Sequence, residues 1–201
     1  KPDATHAKMK MGYIFYDQSY EDRVTFTMAN LIFGGGDFSS RLMDNLRSSL
    51  GYVYGISSAY QLYDSGGLYF ITTDVAPEKA YETREAIKAE MLAIKEGKKA
   101  ISENELFRIV NLYNAFFPRT YKEEITVLAD IMYAREILGE SDNYINEYIE
   151  EYNNLTAAQV QEVFARDTFP ERFLTVIVGR KEDILPAFQE QGIEVELVEL
   201  F

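Results

Sequence analysis

Two strand-like stretches separated by a tight turn constrain the fold of this chain more than any other sequence feature. Residues 52–63 and 67–75 both have the composition of β-strands, and the run Asp64-Ser65-Gly66-Gly67 between them is typical of a hairpin turn. Strands joined by so short a connection pair antiparallel. The chain is therefore predicted to contain an antiparallel or mixed β-sheet.

Hydrophobic periodicity assigns most of the remaining chain to helices. Apolar residues recur every three to four positions in successive stretches, as on the buried face of a helix. Two capping boxes, Ser102 with Glu105 and Thr156 with Gln159, mark helix starts. Helices are predicted from Ser102 to an end or kink at Pro118, from Thr156 through Phe164, and over 21–33, 38–50, 78–96, 123–138, 143–152 and 182–191.

Further strands are predicted near both ends of the chain. Apolar residues alternate with polar ones over 8–16 and 194–200, and a short apolar run over 173–178 reads as a buried strand. No repeat, low-complexity stretch or linker divides the chain. We therefore expect one α+β domain over residues 1–201, with helices packed on the sheet.

The charge of the chain argues against two classes of partner. Its 33 acidic and 20 basic residues give a net charge of -13, and the basic residues form no run. Nucleic acids and anionic lipid surfaces attract clustered Lys and Arg, so neither is expected to bind. No apolar run approaches the ~20 residues that span a bilayer, so no membrane span is expected.

The chain lacks the residues for common metal and nucleophile sites. A catalytic zinc ion needs three protein ligands, and a Ser-His-Asp triad needs a histidine base. There is no cysteine, and the single histidine is His6, near the N-terminus. Close glutamates at 123–124 and 147–151 read as solvated helix faces. We therefore expect no metal site in this chain.

The most informative stretch begins at the glycine triplet 34–36. The triplet ends the helix predicted over 21–33, and neither a Lys-Ser/Thr pair nor the Rossmann spacing of a nucleotide site accompanies it. A set of spaced residues follows in order: Phe38, Ser39, Ser40, Arg41, Leu42, Leu46, Arg47, Gly51, Tyr54, Ser57 and Ser58. This set resembles the C-terminal half of the pitrilysin/insulinase family of zinc metallopeptidases, which includes the mitochondrial processing peptidases. Segments 64–68, 74–80, 155–160 and 174–179 resemble the same family.

The resemblance implies both a fold and a role. Such peptidases consist of two similar α+β halves that close around a chamber. The N-terminal half binds zinc through an inverted His-x-x-Glu-His motif and a later Glu, and the C-terminal half supplies an Arg and a Tyr across the cleft. By position, Arg47 and Tyr54 match that pair. This chain would bind no cofactor itself, and zinc is expected in a partner half or subunit that acts with it on a peptide substrate.

Elementary chemistry agrees with auxiliary catalytic roles for Arg47 and Tyr54. Peptide hydrolysis places negative charge on the attacked carbonyl oxygen, which a cationic guanidinium and a phenolic O–H can stabilise. The alternative to a catalytic role is that Arg47 is an ordinary surface arginine of a helix and that Tyr54 is a tyrosine packed on the sheet. After the glycines, Phe38, Ser39 and Ser40 are candidates for substrate binding, with helix capping by Ser39 or Asp37 as the alternative. The exposed edge of the hairpin is a further candidate for adding a peptide strand.

Three hypotheses about function follow. The first is the substrate-side half of a zinc endopeptidase, inactive in isolation; since the chain starts at Lys1 and enters a strand almost at once, we expect it to be a fragment of a longer polypeptide. The second is an inactive family member that acts as a scaffold or a peptide-binding subunit. The third, from another class, is a domain that binds a small molecule.

Overall fold

Among the described residues, four antiparallel strands form the sheet on which the helices pack. The computed structural model describes residues 6–36, 39–120 and 124–198. In the order β2-β3-β1-β4, each strand is hydrogen-bonded to its neighbours. The strands are β1 (Ala7–Phe15), β2 (Val53–Tyr63), β3 (Gly66–Val75) and β4 (Leu174–Val178). The predicted hairpin is confirmed as β2 and β3, whose last pair before the turn is Tyr63 with Gly66.

The burial pattern of β1 shows which face of the sheet packs against the core. Met9, Met11 and Tyr13 alternate with exposed or half-buried residues, and they point into the core. The outward side chains of the same strand include Lys10 and Ile14, which is largely exposed. Helices cover the inner face of the sheet, which gives the predicted α+β architecture.

Helices make up most of the rest of the chain. Both predicted capping boxes form: the Gln159 N–H donates to Thr156 Oγ1 (3.4 Å), and the Glu105 N–H donates to Ser102 Oγ (3.3 Å). The described helices are α1 (Arg23–Asn30), α2 (Ala80–Lys95), α3 (Glu103–Thr120), α4 (Glu124–Glu136), α5 (Tyr144–Asn153), α6 (Ala157–Asp167) and α7 (Lys181–Glu190). Within the residues that the structure describes, no helix is long and apolar enough to cross a membrane.

Several predicted elements differ in the structure. The helix predicted over 21–33 is α1 followed by a π-helical turn, Leu31–Gly35, and most of the helix predicted over 38–50 is a second π-helical turn, Met43–Ser49. Helix α3 continues past Pro118 to Thr120. The strand predicted over 194–200 is wrong for residues 194–198, which form no regular structure, and its remainder lies outside the described residues.

Candidate functional site

Arg47 and Tyr54 lie side by side at the start of β2. Arg47 is on the second π-helical turn, and its guanidinium carbon is 5.4 Å from the centre of the Tyr54 ring. That distance is within reach of a cation–π contact. The Tyr54 side chain is 79% exposed, whereas Arg47 is half-buried. The two residues that the sequence singled out therefore form a pair on the surface.

Both residues sit on irregular backbone. Val53 pairs with Val75 and Gly55 with Asp74, so Tyr54 is the extra residue of a β-bulge. The adjoining π-helical turn is tied to this bulge by a hydrogen bond from the Tyr52 N–H to the Leu46 carbonyl (2.9 Å). Bulges and π-helical turns both recur at functional sites, where they redirect side chains.

A buried carboxylate fixes the turn that carries Arg47. Glu90 on α2 is almost fully buried, and its Oε2 accepts hydrogen bonds from Asn45 Nδ2 (3.0 Å) and Lys99 Nζ (2.6 Å). Leu42 and Leu46 bury the apolar side of the same segment. The position of Arg47 is thus set by contacts on the inner side of its turn.

The glycine triplet brings the first π-helical turn against β2. A Cβ atom on Gly34 would lie 2.8 Å from Ser58 Oγ, and one on Gly35 would lie 2.4 Å from Asn30 Nδ2. Asn30 and Ser58 are both buried and exchange two hydrogen bonds, of 2.7 and 3.2 Å. The close approach requires glycine, because any side chain would collide with this pair.

This packing closes the middle of the β2 edge. The Ser58 carbonyl accepts from Asn30, and the Ile56 N–H donates to Met43 Sδ (3.4 Å). These backbone groups would have to bond to an incoming peptide strand. A peptide added at these two positions would have to compete with contacts inside the domain, and strand addition to the hairpin edge stays a prediction.

The candidate substrate-binding residues have different surroundings. Phe38 lies outside the described residues. Ser39 is half-buried, and its carbonyl accepts a hydrogen bond from Arg108 Nη2 (2.9 Å). Ser40 is fully buried, and its carbonyl accepts from the Asp44 N–H (2.9 Å).

Arg41 has a structural role that the sequence did not reveal. Its guanidinium makes two hydrogen bonds to the Glu105 carboxylate (2.7 and 2.9 Å) and two to the carbonyls of Lys99 and Ala100 (2.6 and 2.9 Å). Arg41 therefore fastens the loop after the glycines to the start of α3. The only sequence signal for this contact was the capping box that places Glu105 at that helix start.

Glu105 makes the stability of the domain dependent on pH. Burial by itself would raise the pKa of Glu105, but hydrogen bonds from Arg41 and Ser102 outweigh it and lower the pKa to about 2. In the unfolded chain the pKa is about 4.3. Stabilisation from this group is thus present above that value and is lost as the pH falls towards 2.

We expect Glu105→Gln to reduce the free energy of unfolding by on the order of 2 kcal/mol at pH 7, after allowance for solvent screening. The difference from the wild type should shrink steadily between pH 5 and pH 3. Urea unfolding of both proteins at several pH values measures it. A difference that stays constant over this range would show that the carboxylate is not preferentially ionised in the folded state.

Metal ligands do not gather in the part of the chain that the structure describes. Within the residues that the structure describes, no group of three or more His, Cys, Asp or Glu side chains could hold a metal ion. His6 is exposed just before β1. Two shallow clefts lie near the β2–β3 turn, beside Ile14 and Gly66, rather than at Arg47 and Tyr54. Neither cleft is lined by Arg47 or Tyr54.

Comparison with solved structures identifies the fold. The peptidase M16 inactive domain from Pseudomonas fluorescens has 17% identity and a TM-score of 0.77, over 87% of this chain and 41% of that chain. A protease from Helicobacter pylori has 18% identity and a TM-score of 0.74, over 88% and 42%. An inactive peptidase domain from Bordetella parapertussis has 16% identity and a TM-score of 0.68, over 86% and 92%. This chain thus spans less than half the length of the first two proteins.

The sequence itself matches a family model. Residues 1–113 match the model described as the peptidase M16 inactive domain. The match covers more than half of the 201 residues and includes the glycine triplet, Arg47 and Tyr54. The chain therefore belongs to the peptidase M16 inactive-domain family, the inactive half of the M16 zinc peptidases, as the resemblance to the pitrilysin family implied.

Proposed function

We propose that this domain is the substrate-side half of a zinc metalloendopeptidase, in which Arg47 and Tyr54 bind the peptide and stabilise the transition state. The observation that carries the proposal is the contact between the two side chains, 5.4 Å from guanidinium carbon to ring centre, on exposed irregular backbone. Arg and Tyr side chains spaced seven residues apart meet here through a π-helical turn and a bulge.

The chemistry of the pair suits a developing oxyanion. A guanidinium is a permanent cation with several fixed N–H donors, and a phenol adds one O–H donor. The Tyr54 ring restricts the guanidinium, so less entropy is lost when it meets a substrate carbonyl. Donors positioned before the reaction favour the transition state over the bound substrate.

The Arg47–Tyr54 pair needs a facing protein surface to form an enclosed site. The Tyr54 side chain is largely exposed, and the chain has one histidine and no cysteine from which to build a zinc centre. Zinc bound by a facing half would activate the water that attacks the peptide. We place the domain, residues 1–201, as the C-terminal half of such an enzyme, with Arg47 and Tyr54 facing the zinc half.

Substitution of the pair in the assembled peptidase, this domain together with its zinc half, tests the proposal. We expect Arg47→Ala and Tyr54→Phe each to lower kcat/KM for a peptide by on the order of 100-fold, the usual loss for one such donor. Zinc content should be unchanged. Matched controls are Arg135→Ala and Tyr63→Phe, which alter exposed residues of the same types away from the pair and should retain near-normal activity.

Two outcomes would count against the proposal. If both variants keep kcat/KM within about twofold of the wild type, neither residue stabilises the transition state. If the assembled protein binds peptides without cleaving them, the domain belongs to an inactive scaffold or peptide-binding subunit instead. In that case Arg47→Ala should weaken peptide binding.

A further inference from the structure

The C-terminal segment Ile193–Val198 has the sequence of a strand but pairs with none of the described strands. Val195 and Leu197 alternate with Glu194 and Glu196, the pattern of a half-buried strand. In the structure these residues form no regular structure, and Leu197 is 60% exposed. Their apolar surface is therefore left in water, where it costs free energy.

Strand β4, in contrast, has one edge with which none of the described strands pairs. This five-residue strand lies at the end of the sheet and pairs only with β1 among the described strands. No backbone hydrogen bond that the structure describes reaches its outer edge. The buried hydroxyl of Thr175 also lacks a partner among the described residues. The edge is open, and natural sheets usually protect or pair such an edge.

The outward side chains of β4 match those of the segment. Leu174, Val176 and Val178 form an exposed apolar row, and Leu174 is 73% exposed. Cross-strand apolar neighbours on one face stabilise a sheet. Val195 and Leu197 would provide such neighbours.

Length agrees with this pairing. Residues 194–198 and β4 each contain five residues, about 17 Å of extended chain. Both the edge and the strand that fits it are thus present in one sequence, yet they remain apart in a single copy.

We propose that two copies of this chain associate by exchanging these strands, the segment Ile193–Val198 of each copy pairing with the open edge of β4 in the other. The exchange is isologous, so both edges are closed at once. Because each copy carries a net charge of -13, salt should strengthen the association by screening their repulsion.

Proline substitution in the full chain tests the exchange. Sedimentation velocity should show a dimer that becomes tighter with added salt. The double variant Glu196→Pro/Leu197→Pro removes the backbone donors of two adjacent residues, which point to opposite edges of a strand, so at least one bond to the partner is lost and dimerisation should weaken by about tenfold or more. Its circular dichroism should match the wild type, because both residues are exposed and outside regular structure in the single copy. The control Glu194→Gln/Glu196→Gln keeps every donor and should still form the dimer.

Cysteine cross-linking identifies the acceptor edge. Since the chain contains no cysteine, Val195→Cys can be combined with Leu174→Cys, Val176→Cys or Val178→Cys without background. Directly opposed strand residues lie at a Cα distance that allows a disulfide. One of the three combinations should form a covalent dimer under mild oxidation. A bond within one copy, no bond in any combination, or a wild-type chain that stays monomeric at all salt concentrations would overturn the exchange.

Discussion

Replacing Arg41 with methionine should lower the free energy of unfolding by about 3 kcal/mol at pH 7. The substitution keeps the length of the side chain but removes four hydrogen bonds, two to the Glu105 carboxylate and two to backbone carbonyls. The carboxylate then stays partly buried without its cation, which is the costly way to break an ion pair. Urea unfolding of the two proteins gives the difference directly.

A double variant separates the charge effect from lost packing. In Arg41→Met/Glu105→Gln the buried charge is absent, so the second substitution should cost less than Glu105→Gln alone in the wild type. Arg41→Lys should restore only part of the stability, because an ammonium cannot make the same forked contact. A loss below about 0.5 kcal/mol in Arg41→Met would mean that solvent screens the pair as it does most surface ion pairs.

Replacing Phe26 with alanine should lower the free energy of unfolding by about 3–5 kcal/mol. Phe26 on α1 is fully buried against the inner face of the sheet. Its ring centre is 4.8 Å from that of Phe15, 5.2 Å from that of Tyr60 and 5.9 Å from that of Tyr69. These neighbours belong to three different strands, so the cavity cannot close without moving the sheet.

Phe107→Ala is the matched control for Phe26→Ala. Phe107 lies on α3 with its side chain mostly exposed, and its loss should change the free energy of unfolding by less than about 0.5 kcal/mol. Thermal or urea unfolding of the three proteins compares them. A loss below about 1 kcal/mol in Phe26→Ala would show that the aromatic cluster does not hold α1 on the sheet.

Local patterns were predicted well because their causes are local. The hairpin needs only two strand-forming runs and a turn, and both capping boxes need residues three positions apart. The two π-helical turns were predicted as ordinary helix because their apolar spacing looks the same. They depend on contacts that are distant in sequence, such as those of Gly34 with Ser58 and of Asn45 with Glu90.

The segment 194–198 shows what a local sequence pattern cannot predict. Its alternation is that of a strand, but a strand exists only when its backbone groups find a neighbouring strand. In a single copy the segment pairs with none of the described strands, so it forms no strand. The same reasoning applies to Arg41, whose partner Glu105 is 64 residues away and invisible to periodicity.

By itself the sequence determined the α+β class, the family, and the shortage of zinc ligands, since composition and short-range spacing carry this information. Only the tertiary structure decided that Arg47 lies against Tyr54, that Ser40 is buried and that the middle of the β2 edge is closed. Each of these depends on how a π-helical turn packs against β2 and α2. Such packing arises from contacts through space, which no pattern along the chain encodes.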